Sequence, residues 1–333
     1  MRDALQLVAL FLQNFVRFFV YFIVNLPQEV LMKKILLLTL VLISTLFGQI
    51  TITSVEKIPI PSDEQWSNPI FSPNGKEIYF TTMDYNGIWQ YSLSTKLLKV
   101  ITTDNRSGYN FVISDDSRTI AYRRTAVEGD HTTRIQEIVE LDLQSLSKNV
   151  LERGNSISTP IFTKNTVTTV EKISQQKTSS TTTNTPIQIL GIEETKIALL
   201  QNGTKRIFDP LTQGRYIWPQ LSPNKLNIVA VDMERGAFIS DLVGANIIKL
   251  GKCNAPQWSR SGNWIIGMDD KDDGHKIVGS DIIAVSKDGK TRIELTHTAN
   301  TMEMFPAVSP VENKIVVSTS AGDLLLLTYE EVQ

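Results

Sequence analysis

The feature that most constrains the fold is a short phrase that recurs six times along the chain. The first copy, PIFSPNG at Pro69–Gly75, leads into the strand-like segment Glu77–Phe80. Successive hydroxyl residues of the phrase are separated by 42, 49, 59, 37 and 50 residues. They are Ser72, Ser114, Thr163, Ser222, Ser259 and Ser309. A period of about 40–50 residues is typical of the blades of a β-propeller.

Each copy predicts a tight turn between two strands. The order Ser, Pro, Asn or Asp, Gly favours a type I turn, because Pro presets φ and Gly tolerates the exit geometry. The residue before the hydroxyl is apolar in every copy, as stacked blades need for a continuous core. These residues are Phe71, Ile113, Phe162, Leu221, Trp258 and Val308. Further strand-like runs such as Gly87–Ser92 and Leu97–Ile101 predict four strands per blade.

The last repeat lacks an outermost strand. After Ser309 it offers only Lys314–Thr319 and Asp323–Tyr329, whereas the segment Ile50–Ile60 near the other end is strand-like and unassigned. Pairing the two would remove an exposed sheet edge. No long window after residue 50 shows helical periodicity. The sequence therefore predicts an all-β, six-bladed β-propeller, closed by pairing of the N-terminal strand with the C-terminal blade.

The segment before the repeats predicts export. Residues 32–48 combine a basic start at Met32–Lys34, a short apolar run and a small residue at Gly48, which together are typical of a signal peptide. We therefore expect a mature chain of residues 49–333 with no stable membrane span, in the bacterial periplasm or secreted. Residues 1–31 are interpreted as a non-native upstream extension or, alternatively, as a membrane segment.

The charge and cysteine content exclude some classes of protein. A net charge of −2 gives no basic footprint for nucleic acid. The single cysteine, Cys253, permits no intramolecular disulfide, and a propeller of this size has a core large enough to fold without one.

No catalytic constellation or cofactor is expected from the motifs. The Gly-x-Ser-x-Gly nucleophile elbow is absent from the sequence. The histidines are His131, His275 and His297, and the first two fall in the second and fifth repeats, which face each other across a six-membered ring. The sequence therefore favours a protein that is not an enzyme.

An acidic segment, residues 269–273, invites comparison with a calcium loop. With Gly274 at the sixth position of an EF-hand loop, Lys271 takes the third position and Ser280 replaces the Glu at the twelfth. The segment therefore does not match an EF-hand loop. A solvated charged loop is the favoured interpretation. The alternative is a looser cation site formed by Asp269, Asp270, Asp272 and Asp273.

The repeated phrase resembles that of the TolB-like propeller repeat family. The resemblance covers residues 50–333 and is best at Phe71–Lys76, Leu221–Lys225 and Trp258–Gly262. It implies a six-bladed periplasmic propeller of a kind that often binds proteins. It concerns the propeller alone, since only residues 49–65 stand where TolB proteins carry an α/β domain. Related propellers also occur in peptidases and oligogalacturonate lyases.

The leading hypothesis is an exported, monomeric propeller that binds a protein or peptide partner in the envelope. The alternative is a carbohydrate-active enzyme or a sugar-binding propeller. Aromatic residues just before the innermost strands are expected to rim one mouth of the channel, where they would suit partner contacts. They are Trp66, Tyr109, Tyr216, Trp218 and Phe305. The alternative for each is packing between blades.

Overall fold

The strands form successive antiparallel blades around a ring. The computed structural model describes residues 49–61, 64–129, 133–163, 166–175, 187–298 and 301–332. Residues 50–330 form one compact unit. The expected signal peptide and the segment before it lie outside the described residues.

Four blades are four-stranded sheets built in chain order. The first contains β2 (Trp66–Phe71), β3 (Glu77–Thr82), β4 (Ile88–Ser92) and β5 (Leu98–Thr102). The second contains β6 (Val112–Ile113), β7 (Thr119–Glu128), β8 (Thr133–Asp142) and β9 (Lys148–Gly154). The fourth contains β15 (Tyr216–Leu221), β16 (Asn227–Asp232), β17 (Gly236–Asp241) and β18 (Ile248–Gly251). The fifth contains β19 (Asn254–Trp258), β20 (Trp264–Asp272), β21 (Ile277–Ser286) and β22 (Arg292–Glu294).

The sixth blade joins the two ends of the propeller. It contains β23 (Glu303–Val308), β24 (Lys314–Thr319), β25 (Leu324–Val332) and, outside β25, the N-terminal strand β1 (Gln49–Lys57). Ile58 N donates to Leu324 O at 2.9 Å, and Thr53 Oγ1 donates to Thr328 O at 3.3 Å. The predicted ring closure is confirmed, and β25 has no open edge there.

The third blade departs from the regular pattern. Its described strands form a pair, β10 (Ile161–Thr163) and β11 (Thr166–Thr168), and a separate three-stranded sheet. That sheet contains β12 (Gln188–Glu193), β13 (Lys196–Gln201) and β14 (Thr204–Phe208), and the helix α1 (Val170–Gln175) lies between the two in sequence. Gln188 Nε2 donates to Phe162 O at 3.2 Å and links them. The expectation of four regular strands is wrong for this blade.

The repeated hydroxyl holds the first turn together in the first, second and fourth blades. The Oγ atom of Ser72 donates to Asn74 Oδ1 at 2.8 Å and accepts from Glu77 N at 3.0 Å. Ser114 and Ser222 make the same two kinds of bond. Because these serines are buried, a hydroxyl that both donates and accepts leaves no polar atom unsatisfied.

The core lies between neighbouring blades, as the apolar column predicted. One cluster joins Phe71 and Phe80 of the first blade to Val316 and Leu324 of the sixth. Trp258 belongs to a cluster shared by the fourth and fifth blades. Burying faces of this kind around the whole ring supplies the main driving force for folding.

The inner strands carry a repeated β-bulge that was not predicted from the sequence. The residue four positions before the hydroxyl has a positive φ of 49° at Asn68, 51° at Trp218, 47° at Ala255 and 52° at Phe305. The pairing register shifts at each of these points. Proline follows all four residues, and a bulge tolerates proline because it needs no ladder N–H there.

Candidate binding rim

Two ends of the ring can be distinguished from the strand order. The connection face carries the blade-to-blade segments, such as 103–111 and 209–215, and the loops between second and third strands, such as 83–87. The turn face carries the repeated first turns, such as 72–76, and the turns between third and fourth strands, such as 242–247. All five predicted aromatic residues lie at or near the connection face, but they occupy three different repeat positions.

Trp66 is a core residue and not part of an exposed rim, which corrects the expectation for it. Its side chain is 3% exposed, and its Nε1 donates to Pro61 O at 2.7 Å. The ring meets Phe80 edge-on at 5.2 Å and Trp89 at 4.9 Å between centroids. Trp66 stands six residues before Ser72, a position that is buried in each described repeat.

Tyr216 occupies the same repeat position and is likewise buried, with 1% of its surface exposed. Its hydroxyl donates to Asp209 Oδ1 at 2.6 Å and accepts from Leu211 N at 2.9 Å. Burial and the neighbouring Asp209 carboxylate raise the pKa of Tyr216 above its ordinary value. The residue therefore ties the connection 209–215 to the core, and the expectation that it rims the channel is corrected.

Tyr109 remains at the surface, and the residue is 41% exposed. Tyr85 meets it edge-on at 5.2 Å with an interplanar angle of 90°, and the Arg123 guanidinium carbon lies 5.8 Å from its ring centroid. Arg123 Nη1 also donates to Ile157 O, which fixes the guanidinium. We name Tyr85, Tyr109 and Arg123 the Tyr109 cluster. Aromatic and arginine side chains in this arrangement are common anchors for protein partners.

Trp218 and Phe305 both occupy the bulge position of an inner strand. Trp218 is 37% exposed, whereas Phe305 is half-buried against the core of the fifth and sixth blades. Inner strands are the ones nearest the channel of a propeller, so both bulge positions lie on the channel side of their blades. A bulky residue with positive φ is strained, and such strain is commonly retained at functional positions.

An ion network joins the first two blades beside the Tyr109 cluster. Asp104 Oδ2 accepts from Tyr122 Oη at 2.6 Å, from Lys148 Nζ at 2.9 Å and from Arg124 Nη1 at 3.0 Å. Arg124 Nε also donates to the buried Glu137 at 2.7 Å.

The network holds its carboxylates ionised. Burial alone would raise the pKa of Asp104 and of Glu137, but the hydrogen bonds and charges of their partners bring the pKa of each below its ordinary value. Carboxylates that accept several hydrogen bonds and ion pairs in this way hold the strands in position. They are poor proton donors or acceptors. The arrangement supports a rigid platform for the neighbouring Tyr109 cluster.

The structure does not bring the four candidate cation ligands together. Asp269 Oδ2 accepts from Arg292 Nη2 at 2.8 Å, and the buried Asp270 accepts from Asn254 Nδ2 at 2.7 Å. Asp272 and Asp273 accept from backbone N–H groups of their own turn. The first three lie on β20, where successive side chains point to opposite faces.

Within the described residues, the histidines do not form an alternative metal site. His131 lies outside them, and the His297 side chain is 90% exposed with its Nδ1 4.0 Å from Glu294. Among the described residues, no group of three or more His, Cys, Asp or Glu side chains is placed to hold a metal ion. No described helix is long and apolar enough to cross a membrane.

Tyr85 and Arg123 belong to the candidate site but were not predicted from the sequence. Tyr85 could have been found, because it lies in the loop between the second and third strands and so shares the connection face with Tyr109. The position of Arg123 over the Tyr109 ring depends on the packing of two blade segments and has no local sequence pattern.

Comparisons with known proteins support the fold. No protein-family model and no curated protein sequence matches the chain. The Swd1 β-propeller domain from Myceliophteria thermophila is 10% identical, with 84% of this chain and 99% of that chain covered and a TM-score of 0.53. At this identity the similarity bears on the fold alone.

Two further solved structures are similar at lower TM-scores. TolB from Acinetobacter baumannii is 15% identical over 73% of this chain, with a TM-score of 0.48, and the match spans 57% of the TolB chain. An oligogalacturonate lyase in complex with manganese is 13% identical over 79% of this chain and 76% of that chain, with a TM-score of 0.45. The strand order and the similarity to the Swd1 domain together show the fold: the chain is an all-β, six-bladed β-propeller.

Proposed function

We propose that this chain is an exported, non-enzymatic propeller that binds a protein or peptide partner in the bacterial envelope through its connection face. The observation that carries the proposal is the Tyr109 cluster. There an exposed tyrosine is held between an edge-on tyrosine and an arginine fixed by a backbone carbonyl.

The cluster suits recognition because little order is lost when a partner binds. Tyrosine has few rotatable bonds, and the Arg123 guanidinium is already fixed, so the cost of immobilising both is small. The ion network of Asp104, Arg124 and Glu137 stabilises the strands beside the cluster. Trp218, exposed at the inner-strand bulge, would extend the contact surface toward the channel.

The proposal can be tested by capture from an envelope extract. Immobilised mature protein, residues 49–333, is crosslinked to bound material, and the captured proteins are compared with those retained by Tyr109→Ala. The matched control is Val243→Ala, because Val243 is 84% exposed on the turn face. We expect a partner that wild type and Val243→Ala retain and Tyr109→Ala loses. Equal capture by all three proteins would contradict binding through this rim.

The non-enzymatic part of the proposal requires a separate experiment. The purified protein is incubated with polysaccharide and peptide libraries, and products are followed over time by mass spectrometry. We expect no time-dependent products. Cleavage that disappears in His275→Ala or His297→Ala would favour an enzyme instead.

A further inference from the structure

A cavity of about 410 Å³ opens on the turn face between the fourth and fifth blades, away from the proposed rim. Its apolar walls come from Ile239 and Ile248 of the fourth blade and from Trp258 of the fifth. Polar groups lie around the same cavity. They belong to Ser222, Asn224, Asn227, Ser261, Lys287 and Asp288. We name this cavity the inter-blade slot. Its volume lies within the range of about 300–1,000 Å³ that is common for ligand pockets.

The slot is present because the fifth blade lacks an apolar side chain at a position where other blades have one. In those blades this side chain fills the space next to the preceding blade, and we call the position the plug position. In each of five blades, the first residue of the second strand pairs with one residue of the third strand. The plug position is the residue that comes directly after that partner in the sequence. Those pairs are Glu77–Ser92, Thr119–Asp142, Asn227–Asp241, Trp264–Ser286 and Lys314–Thr328. The plug residues are accordingly Leu93, Leu143, Leu242, Lys287 and Tyr329.

Four of these five residues fill the junction with the preceding blade. Leu143 and Tyr329 are buried members of core clusters, and Leu93 and Leu242 pack against such clusters. The fifth blade has Lys287 at this position, and Lys287 lines the slot. A lysine stem does not fill the junction as leucine does, because its ammonium must stay in contact with water or a polar partner.

The Lys287 ammonium lies at the slot, where its positive charge can attract an anionic group. Its Nζ donates to Asn263 Oδ1 at 3.1 Å, and within the described ranges no carboxylate forms a salt bridge with it. The carboxylate of the adjacent Asp288 interacts with residues of its own turn. Its Oδ1 accepts from Ser286 Oγ at 2.6 Å, and its Oδ2 lies 3.6 Å from Lys290 Nζ.

The slot is closed on two sides by contacts between the blades. A Cβ on Gly289 would lie 2.7 Å from Lys249 O of the outer strand β18, so the backbones meet closely there. Nearer the ring axis, a Cβ on Gly262 would lie 3.6 Å from Pro223 Cδ. A ligand that enters from the turn face would place one end between the blades.

We propose that the inter-blade slot binds the C-terminal residue of a peptide or protein whose last side chain is aliphatic. That side chain replaces the missing plug against Ile239, Ile248 and Trp258. The terminal carboxylate pairs with the Lys287 ammonium at the mouth, in a charge-assisted hydrogen bond. Asn224 and Asn227 line the same cavity, and their side-chain N–H groups would donate to the last peptide carbonyls, since Asn224 Oδ1 already accepts from Ser222 Oγ. This site is independent of the Tyr109 cluster.

The test compares two forms of one probe. A fluorescently labelled hexapeptide ending in Leu is titrated by polarisation as the free acid and as the C-terminal amide. We expect the free acid to bind at least about tenfold more tightly than the amide, since the amide loses the charged pair. N-acetyl-leucine serves as a small-molecule source of the same carboxylate. We expect it to bind more weakly than the peptide.

Substitutions of Lys287 and of residues outside the slot provide the structural control. Lys287→Leu installs the plug residue of the other blades, so we expect unchanged or higher thermal stability together with loss of peptide binding. Lys76→Leu changes an exposed lysine on the same face, in the first turn of the first blade, and should leave binding intact. Lys287→Gln, which removes the charge without filling the slot, should bind the acid and the amide equally. Tyr109→Ala should bind the peptide as wild type does.

Several outcomes would overturn the proposal. They are no binding of the free acid at millimolar concentration, equal binding of acid and amide by wild type, retained binding in Lys287→Leu or Lys287→Gln, and N-acetyl-leucine binding as tightly as the peptide. The last result would assign the slot to a small carboxylic acid. Because none of these outcomes depends on binding at the rim, the proposal can fail while the proposed function stands.

Discussion

Arg124 Nε donates to the carboxylate of Glu137 at 2.7 Å, and the Glu137 side chain is fully buried. Arg153 Nε donates to the other carboxylate oxygen of Glu137 at 2.6 Å. Because Arg124 also bonds Asp104 in the connection 103–111, this pair couples the second blade to the first. Replacing Glu137 removes the buried carboxylate to which both guanidinium groups donate, so several charge-assisted hydrogen bonds are lost together.

Glu137→Gln should therefore lower the free energy of unfolding by about 2 kcal/mol or more at pH 7. The measurement is denaturant unfolding followed by tryptophan fluorescence. The loss should shrink as the pH falls, since the stability contributed by a carboxylate with a lowered pKa is lost on acidification. Glu140→Gln, on the same strand but half-exposed, is the control and should change little. A loss equal in both variants would refute a special role for the network.

Glu303 gives the opposite pH dependence. It is 1% exposed, and burial together with the Asp281 charge raises its pKa despite hydrogen bonds from Thr298 and Thr296. The native state therefore holds this proton more tightly than the unfolded chain, and the resulting stabilisation is present at low pH and lost as pH rises through the raised pKa. Glu303→Gln should stabilise the protein more at pH 8 than at pH 4, as measured by thermal unfolding. A larger gain at pH 4 would contradict this assignment.

Two tryptophans near the channel should respond differently to truncation. Trp66→Ala removes a buried ring and should cost about 3–5 kcal/mol. Trp218→Ala removes a side chain that is partly in solvent and should cost well under half as much. Urea unfolding of the two variants side by side is the measurement. A Trp66→Ala protein as stable as Trp218→Ala would mean that Trp66 is not in the core.

Ring closure by β1 should protect the edge of β25. Deleting residues 50–57 exposes the N–H and C=O groups of that strand and should promote self-association. Size-exclusion chromatography with light scattering, on a chain of residues 49–333 and on the deleted form, compares their masses. A deleted form that remained monomeric, with an unchanged midpoint of unfolding, would contradict the claim that ring closure protects this edge.

The repeated phrase made the fold predictable because each part of it has one local structural role. Ser72 and Ser222 form buried turns and Phe71 lies between blades, as the pattern required. The pairing of β1 beside β25 was also predictable, since the last repeat lacked a strand. The bulge at Trp218 and Phe305 carried a sequence pattern as well, a residue followed by proline in an inner strand, but its meaning emerges only when the register is seen.

The candidate site was less predictable, because aromatic residues close in sequence occupy different repeat positions. Trp66 and Tyr216 fall in a buried column, and Trp218 falls two residues further along in the bulge column. Whether Tyr109 is exposed or packed depends on Tyr85 and Arg123, which come from other strands and loops. No local pattern encodes such contacts between segments.

The central claim is that the connection face binds a partner through the Tyr109 cluster. Its most direct test is the dissociation constant of the captured partner, measured by surface plasmon resonance on wild type, Tyr109→Ala and the turn-face control Val243→Ala. We predict that Tyr109→Ala weakens binding by about 2 kcal/mol, roughly thirtyfold in the dissociation constant, while Val243→Ala binds as wild type does. The same dissociation constant for Tyr109→Ala and wild type, with both proteins folded, would contradict the claim.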